Sequence, residues 1–122
     1  MYPTALFAIL DVAPVRAVLG TPVRIYPFGD TGTTPPSPPY VVHQLVSSVP
    51  DNCLDDPPPV DDERIQFSVW ADDVATLSTV VVALRTQLQE YGYINSVSDN
   101  GRDPETKRYG MVIDWSRLEP WA

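Results

Sequence analysis

The segment Ile65-Gln66-Phe67-Ser68-Val69-Trp70 alternates apolar and polar residues with the period of two that marks a half-buried strand. Ile65, Phe67 and Val69 point one way, Gln66, Ser68 and Trp70 the other. The period then changes. From Asp72 to Tyr91, apolar residues recur at spacings of three and four: Val74, Leu77, Val81, Leu84, Leu88 and Tyr91. At roughly 100° per residue these positions fall within an arc of about 100°, which predicts a helix with one buried stripe. Asp72 or Asp73 supplies its N-cap, and Gly92 closes it. Thr79, Thr86 and Glu90 lie opposite the stripe, and Ala75, Val82 and Gln89 line up along one flank.

Alternation returns after the helix. Residues 93–97 and 107–115 read as strands, with Tyr109, Met111, Ile113 and Trp115 on one face of the second. Ser98-Asp99-Asn100-Gly101 is a turn signal between them, extended by residues 102–106. Upstream, residues 40–49 and 23–26 are further strands. Residues 3–12 form a short apolar helix with Leu6, Ile9 and Leu10 on one face. Pro14 interrupts it, and Val15 to Leu19 adds one more turn, ended by Gly20. The expected fold is α+β: a small, mainly antiparallel sheet of four or five strands, one long helix packed across it and a short N-terminal helix. Its length, 122 residues, suits one domain spanning 1–122.

Fourteen prolines would sit badly in such a sheet, but half of them lie at 34–39 and 57–59, inside two expected long loops, 27–39 and 50–63. The second holds six acidic residues: Asp51, Asp55, Asp56, Asp61, Asp62 and Glu63. Like charges at this density keep a segment extended and solvated. The net charge of −8 argues against nucleic-acid binding, because duplex affinity comes largely from Lys and Arg on phosphates. It suits a basic partner, or a surface that must not adhere to DNA. One cysteine, Cys53, allows no internal disulfide. No apolar run approaches a membrane span, and the first ten residues lack a basic signal-peptide start, so neither membrane insertion nor a signal peptide is expected.

Candidate chemistry is sparse. His43 lies inside an alternating strand between Val41 and Leu45 with no sequence-local nucleophile or orienting carboxylate. The acidic loop lacks EF-hand spacing. Gly29-Asp30-Thr31-Gly32 is followed by prolines rather than a helix with Lys, so it is no phosphate cradle. No catalytic residues, metal site or cofactor are expected, and the chain reads as a protein acting by contact. Trp70 is a candidate contact residue: if the long helix covers the Phe67 face, Trp70 faces outward, into a neighbour or under the N-terminal helix. The flank Ala75, Val82, Gln89 is either a subunit contact or a partly exposed helix side.

The order of these segments resembles the tail completion, or tail terminator, proteins of long-tailed phages. The likeness rests on the N-terminal helix, Val23-Arg24-Ile25-Tyr26-Pro27, Pro38-Pro39-Tyr40-Val41-Val42, Ile65 to Ala71 leading into the long helix, and Asp103 to Tyr109 running into a strand that stops at Asp114-Trp115. It covers residues 5–118. The resemblance implies a virion neck protein, assembled in the host cytoplasm, that forms a six-membered ring on the tail tube and joins it to the head connector or stopper, with DNA passing through the lumen. Trp70, Ala75, Val82 and Gln89 are then candidate subunit contacts, and the six acidic residues of 51–63 candidates for the lumen or an adjacent ring. A head-side stopper ring, or an acidic adaptor for a basic protein, are the alternatives.

Overall fold

The computed structural model describes residues 4–20, 23–28, 37–50, 60–105 and 107–120. Helices α1 (Thr4–Leu10) and α2 (Ala13–Leu19) come first. Strands β1 (Ile25–Pro27), β2 (Tyr40–Pro50) and β3 (Val60–Ala71) follow, then helix α3 (Val74–Leu88) and strands β4 (Tyr93–Arg102) and β5 (Tyr109–Pro120). The five strands form one sheet in the order β1-β2-β3-β5-β4. Only the β1–β2 pair is parallel. The α+β expectation holds, with α1 and α2 in place of one interrupted N-terminal helix.

All three helices cover one face of the sheet. Ile65, Phe67, Val69 and Ala71 of β3 are fully buried against α3, together with Ile113 and Trp115 of β5 and Val41 of β2. Leu6, Leu10, Val15 and Leu19 complete the same core. The alternation read in the sequence therefore sorts β3 as expected.

On α3 the buried set is Leu77, Val80, Val81, Leu84 and Leu88. Compared with the predicted stripe, Val80 enters while Val74 and Tyr91 stand 60% and 51% exposed. The stripe has turned by roughly 20° toward Val80 at about 100° per residue. The cause is tertiary: Val80 shares a groove with Ala17 and Val18 of α2, so the helix is covered from two sides. Tyr91 lies past the helix end, where Gln89 closes α3. At the other end Asp73 is the cap, accepting a hydrogen bond from the Thr76 backbone N–H at 2.7 Å.

The strands run further than their alternation indicated. β3 begins at Val60, and its residues 60–63 pair with 117–120 of β5 and, for 61–63, with 48–50 of β2. β4 reaches only Ser116, through Tyr93. A three-stranded ribbon of about four residues, roughly 13 Å, thus projects beyond β4.

Candidate functional site

The end of α3 is fixed to the sheet by one side chain. Trp115 is fully buried, and its Nε1–H donates to the Leu88 carbonyl at 2.9 Å. The same carbonyl accepts from the Tyr91 backbone N–H at 3.1 Å, so both donors serve one of the last carbonyls of the helix. The Phe67 ring packs edge-on against Trp115 at 6.0 Å between centroids, and His43 lies 5.7 Å from Phe67. Gly92 passes directly over the indole: a Cβ there would stand 2.8 Å from Trp115 ring atoms and overlap the Ser116 carbonyl oxygen. The sequence marked Gly92 as the helix terminator, but α3 ends at Leu88 with Gln89 as its C-cap; what requires a glycine at 92 is this close approach.

His43 is 3% exposed, and burial pushes its pKa down from 6.5 to about 4. It is a neutral core histidine at neutral pH. Among the described residues no group of three or more His, Cys, Asp or Glu could hold a metal ion, and no helix is long and apolar enough to cross a membrane.

The acidic candidates separate. Asp51, Asp55 and Asp56 lie outside the described residues, as does Cys53. Residues 61–63, expected in a loop, belong to β3. Asp61 is placed through its backbone alone, and Asp62 is exposed. Glu63 corrects the sequence reading: it is fully buried, with Oε1 3.5 Å from Nε of Arg117, itself 6% exposed. The Arg117 guanidinium in turn lies over the Trp115 ring, 5.5 Å from its centroid. Strand alternation explains the split. Odd positions of β3 face the helices and even positions the open face, so Glu63 turns inward beside Ile65.

The open face of the sheet is polar at one end and aromatic at the other. Arg64 makes a two-pronged ion pair with Asp114 across the β3–β5 pair, Nε lying 2.9 Å from Oδ1. Each partner favours the other's charged form: Arg64 is raised and Asp114 lowered, chiefly by this hydrogen bond. Asn95 donates to the Ser116 hydroxyl at 2.6 Å beside it. Toward the other end, Trp70 lies across Gly110, where a Cβ would stand 2.7 Å from the indole. Tyr40, its β2 neighbour, meets Tyr26 edge-on at 6.4 Å and carries the Arg108 guanidinium at 5.6 Å. Trp70 is half-buried by these neighbours and does not lie under α1, because α1 and α2 are on the opposite face. The flank of α3 is open: Ala75, Val82 and Gln89 are all exposed, Val82 by 60%. Trp70 and this flank therefore lie on opposite sides of the sheet.

Sequence reasoning missed one surface. A cup of about 360 Å³ opens between the first turn of α3 and the β4–β5 pair. Val74, Leu77, Tyr109 and Met111 line it, with Asp99 and Arg102 also on its wall. The Arg102 guanidinium lies over the Tyr109 ring at 5.4 Å. These residues are far apart in the chain, and no local pattern joins them.

A search of curated proteins finds no match. Among solved structures, the fold is similar to a chain of the virion of native gene transfer agent (GTA) particle, at a TM-score of 0.58 and 17% identity. The likeness covers 98% of this chain and 99% of that one, and at this identity it is one of fold. The sequence pattern of the family described as tail completion protein gp17 matches residues 4–117. Nearly every element above, from α1 through most of β5, falls inside that match, and the chain therefore belongs to the tail completion protein gp17 family, a structural component of a phage tail.

Proposed function

We propose that this protein is a single-domain ring subunit, spanning 1–122, at the head-proximal end of the tail. The ring ends growth of the tail tube and joins the tail to the head connector or stopper, and the genome passes through its lumen. Its partners are five further copies of itself, the tail tube protein and the connector. Assembly in the host cytoplasm precedes its place in the virion neck. The observation that carries this reading is the family match across residues 4–117.

The geometry is compatible with a ring. A closed ring needs a heterologous interface, one patch meeting a different patch. The helix flank (Ala75, Val82, Gln89) and the Trp70 face are two such patches on opposite sides of one sheet. Six copies at −8 each carry roughly −48, a charge that keeps passing DNA from adhering. The acidic contribution to the lumen or an adjacent ring comes from Asp51, Asp55, Asp56, Asp61 and Asp62, of which Asp62 is exposed on the projecting ribbon. Glu63, buried against Arg117, is not part of it.

The test is the mass of the purified protein by light scattering across a concentration series, alone and with tail tubes. A hexamer in either condition is the expected result. A monomer in both would sink the ring reading. The charge reversal Asp62→Lys is expected to disturb ejection or docking; normal infectivity in that variant removes the acidic role.

A further inference from the structure

We infer that Arg85 of one copy docks in a polar hollow on the open sheet face of the next, where it meets Asp62. This seam rests on the ring reading above and specifies its interface.

The hollow lies at the root of the projecting ribbon. It measures about 360 Å³ and is lined by Ser47, Asp62, Arg64, Asn95 and Ser116. Ser47, Arg64 and Ser116 form one cross-strand row, and Asp62 stands two residues further along β3. The Arg64 guanidinium is already held by Asp114. Asn95 turns its Nδ2 to the Ser116 hydroxyl at 2.6 Å, which leaves its Oδ1 to accept. Asp62 is exposed, and among the described residues its carboxylate has no cationic partner. What the hollow offers is therefore acceptors: a carboxylate, an amide oxygen and hydroxyls. That set suits a cation with several N–H donors, and a guanidinium carries five in a planar fork.

Arg85 is the complementary group. Arg16, Arg64, Arg108 and Arg117 each face a carboxylate, whereas Arg85 is exposed and has no anionic partner among the described residues. At about 100° per residue it lies roughly 20° from Val74 and roughly 140° from Val80. It therefore projects on the β4 side of α3, clear of α1 and α2, which hold the other side through Gln87 and Val80. Val82 and Gln89, one turn before and one turn after, are exposed too, so Arg85 belongs to the helix flank proposed as a contact. Lys107 is also exposed without a carboxylate partner among the described residues, but it precedes β5 at the opposite end of the sheet from the hollow. An exposed valine flanks each half of the contact: Val82 beside Arg85, and Val46, at the β2 bulge, beside Ser47.

The two halves also lie at similar heights. Trp115 ties Leu88 to the sheet, and Arg85 stands three residues before Leu88, about 4.5 Å along the helix axis. The hollow is centred on the row of Ser116, the residue after Trp115, about 3.4 Å along β5. The offset, about 8 Å in all, is close to the reach of an arginine side chain. Helix and hollow occupy opposite faces of one sheet, so one patch meets a different patch, as a closed ring requires. Opposite charges on the two patches fix the register between copies. Asp62 then faces a neighbouring copy, while Asp51, Asp55, Asp56 and Asp61 keep the role given above.

The experiment is a charge swap in the full chain, with assembly followed by light scattering, alone and with tail tubes. Arg85→Asp and Asp62→Arg are each expected to raise the assembly midpoint at least about tenfold, as loss of a close interfacial charge pair does. Circular dichroism should be unchanged, because both side chains are exposed. The two substitutions together are expected to recover most of the loss, since they restore the pair with its charges exchanged. A lumen role for Asp62 gives no such rescue by Arg85→Asp. If the parent forms rings but either single variant assembles like it, or the double variant is no better than the worse single one, the seam is wrong and the ring stands. If the parent forms no ring, alone or on tail tubes, the ring reading fails and the seam fails with it.

Discussion

Acidification is expected to destabilise this protein through His43. The residue is 3% exposed, and its pKa falls from 6.5 to about 4 on burial. The sign follows from proton binding. Between these values the unfolded chain holds a proton on His43 that the folded chain excludes, so stability is full above 6.5 and falls as pH drops toward 4. From pH 7.5 to pH 5.0 the loss comes to about 2 kcal/mol, within the limit of roughly 3.4 kcal/mol set by the whole shift at 1.36 kcal/mol per unit. Stopping at pH 5.0 keeps the protein clear of its pI near 4.3, where lost charge repulsion invites aggregation. It also stays above the range in which Asp73 and Asp114, both lowered by their hydrogen bonds, take up protons. The assay is urea unfolding at pH 7.5, 6.5, 5.75 and 5.0, at a concentration that holds one oligomeric state throughout. His43→Leu serves as the comparator, because it keeps an apolar body in the site and removes the titrating group. The difference in slope between the two proteins isolates the histidine from general charge effects. Parallel curves, agreeing within about 0.5 kcal/mol, would refute the reasoning and mean that the fold accepts the imidazolium.

Two further perturbations test other joints. Gly92→Ala drives a methyl group into the Trp115 ring and the Ser116 carbonyl, both of which are part of the core or the backbone. It should cost about 1–3 kcal/mol, as overpacking does, and a melting temperature equal to the parent's would show that the α3–β4 turn can shift. Asp73→Ala removes the cap on the Thr76 N–H and should lower the midpoint of chemical unfolding, where Asp73→Asn should recover most of the loss; an unchanged midpoint would mean that α3 needs no side-chain cap.

The sequence by itself determined the local order of the chain. Period two across residues 65–70 and period near 3.6 across the following helix are properties of neighbouring residues, and the backbone geometry converts each directly into an element with one buried side. An aspartate cap at 72 or 73 and the buried face of β5 follow from the same local chemistry, whereas the stop read at Gly92 falls earlier, at Gln89. The segment order likewise carried the family resemblance, since a family match reads the chain in one dimension.

What only the tertiary structure decided are the features that depend on residues distant in sequence. Val80 is buried because α2 lies against that side of α3, and no pattern inside α3 records the neighbour. Glu63 looked like one more loop acid, but pairing with residues 117–120 extends β3 past it, and strand alternation turns its carboxylate inward to Arg117, 54 positions away. The charge run misled because charge density predicts solvation only where no partner of opposite charge is folded beside it. Trp70 meets Gly110 for a related reason: a glycine opposite a tryptophan is a cross-strand fact, fixed by register. The cup completes the set, since a concavity exists only once α3, β4 and β5 have been brought together.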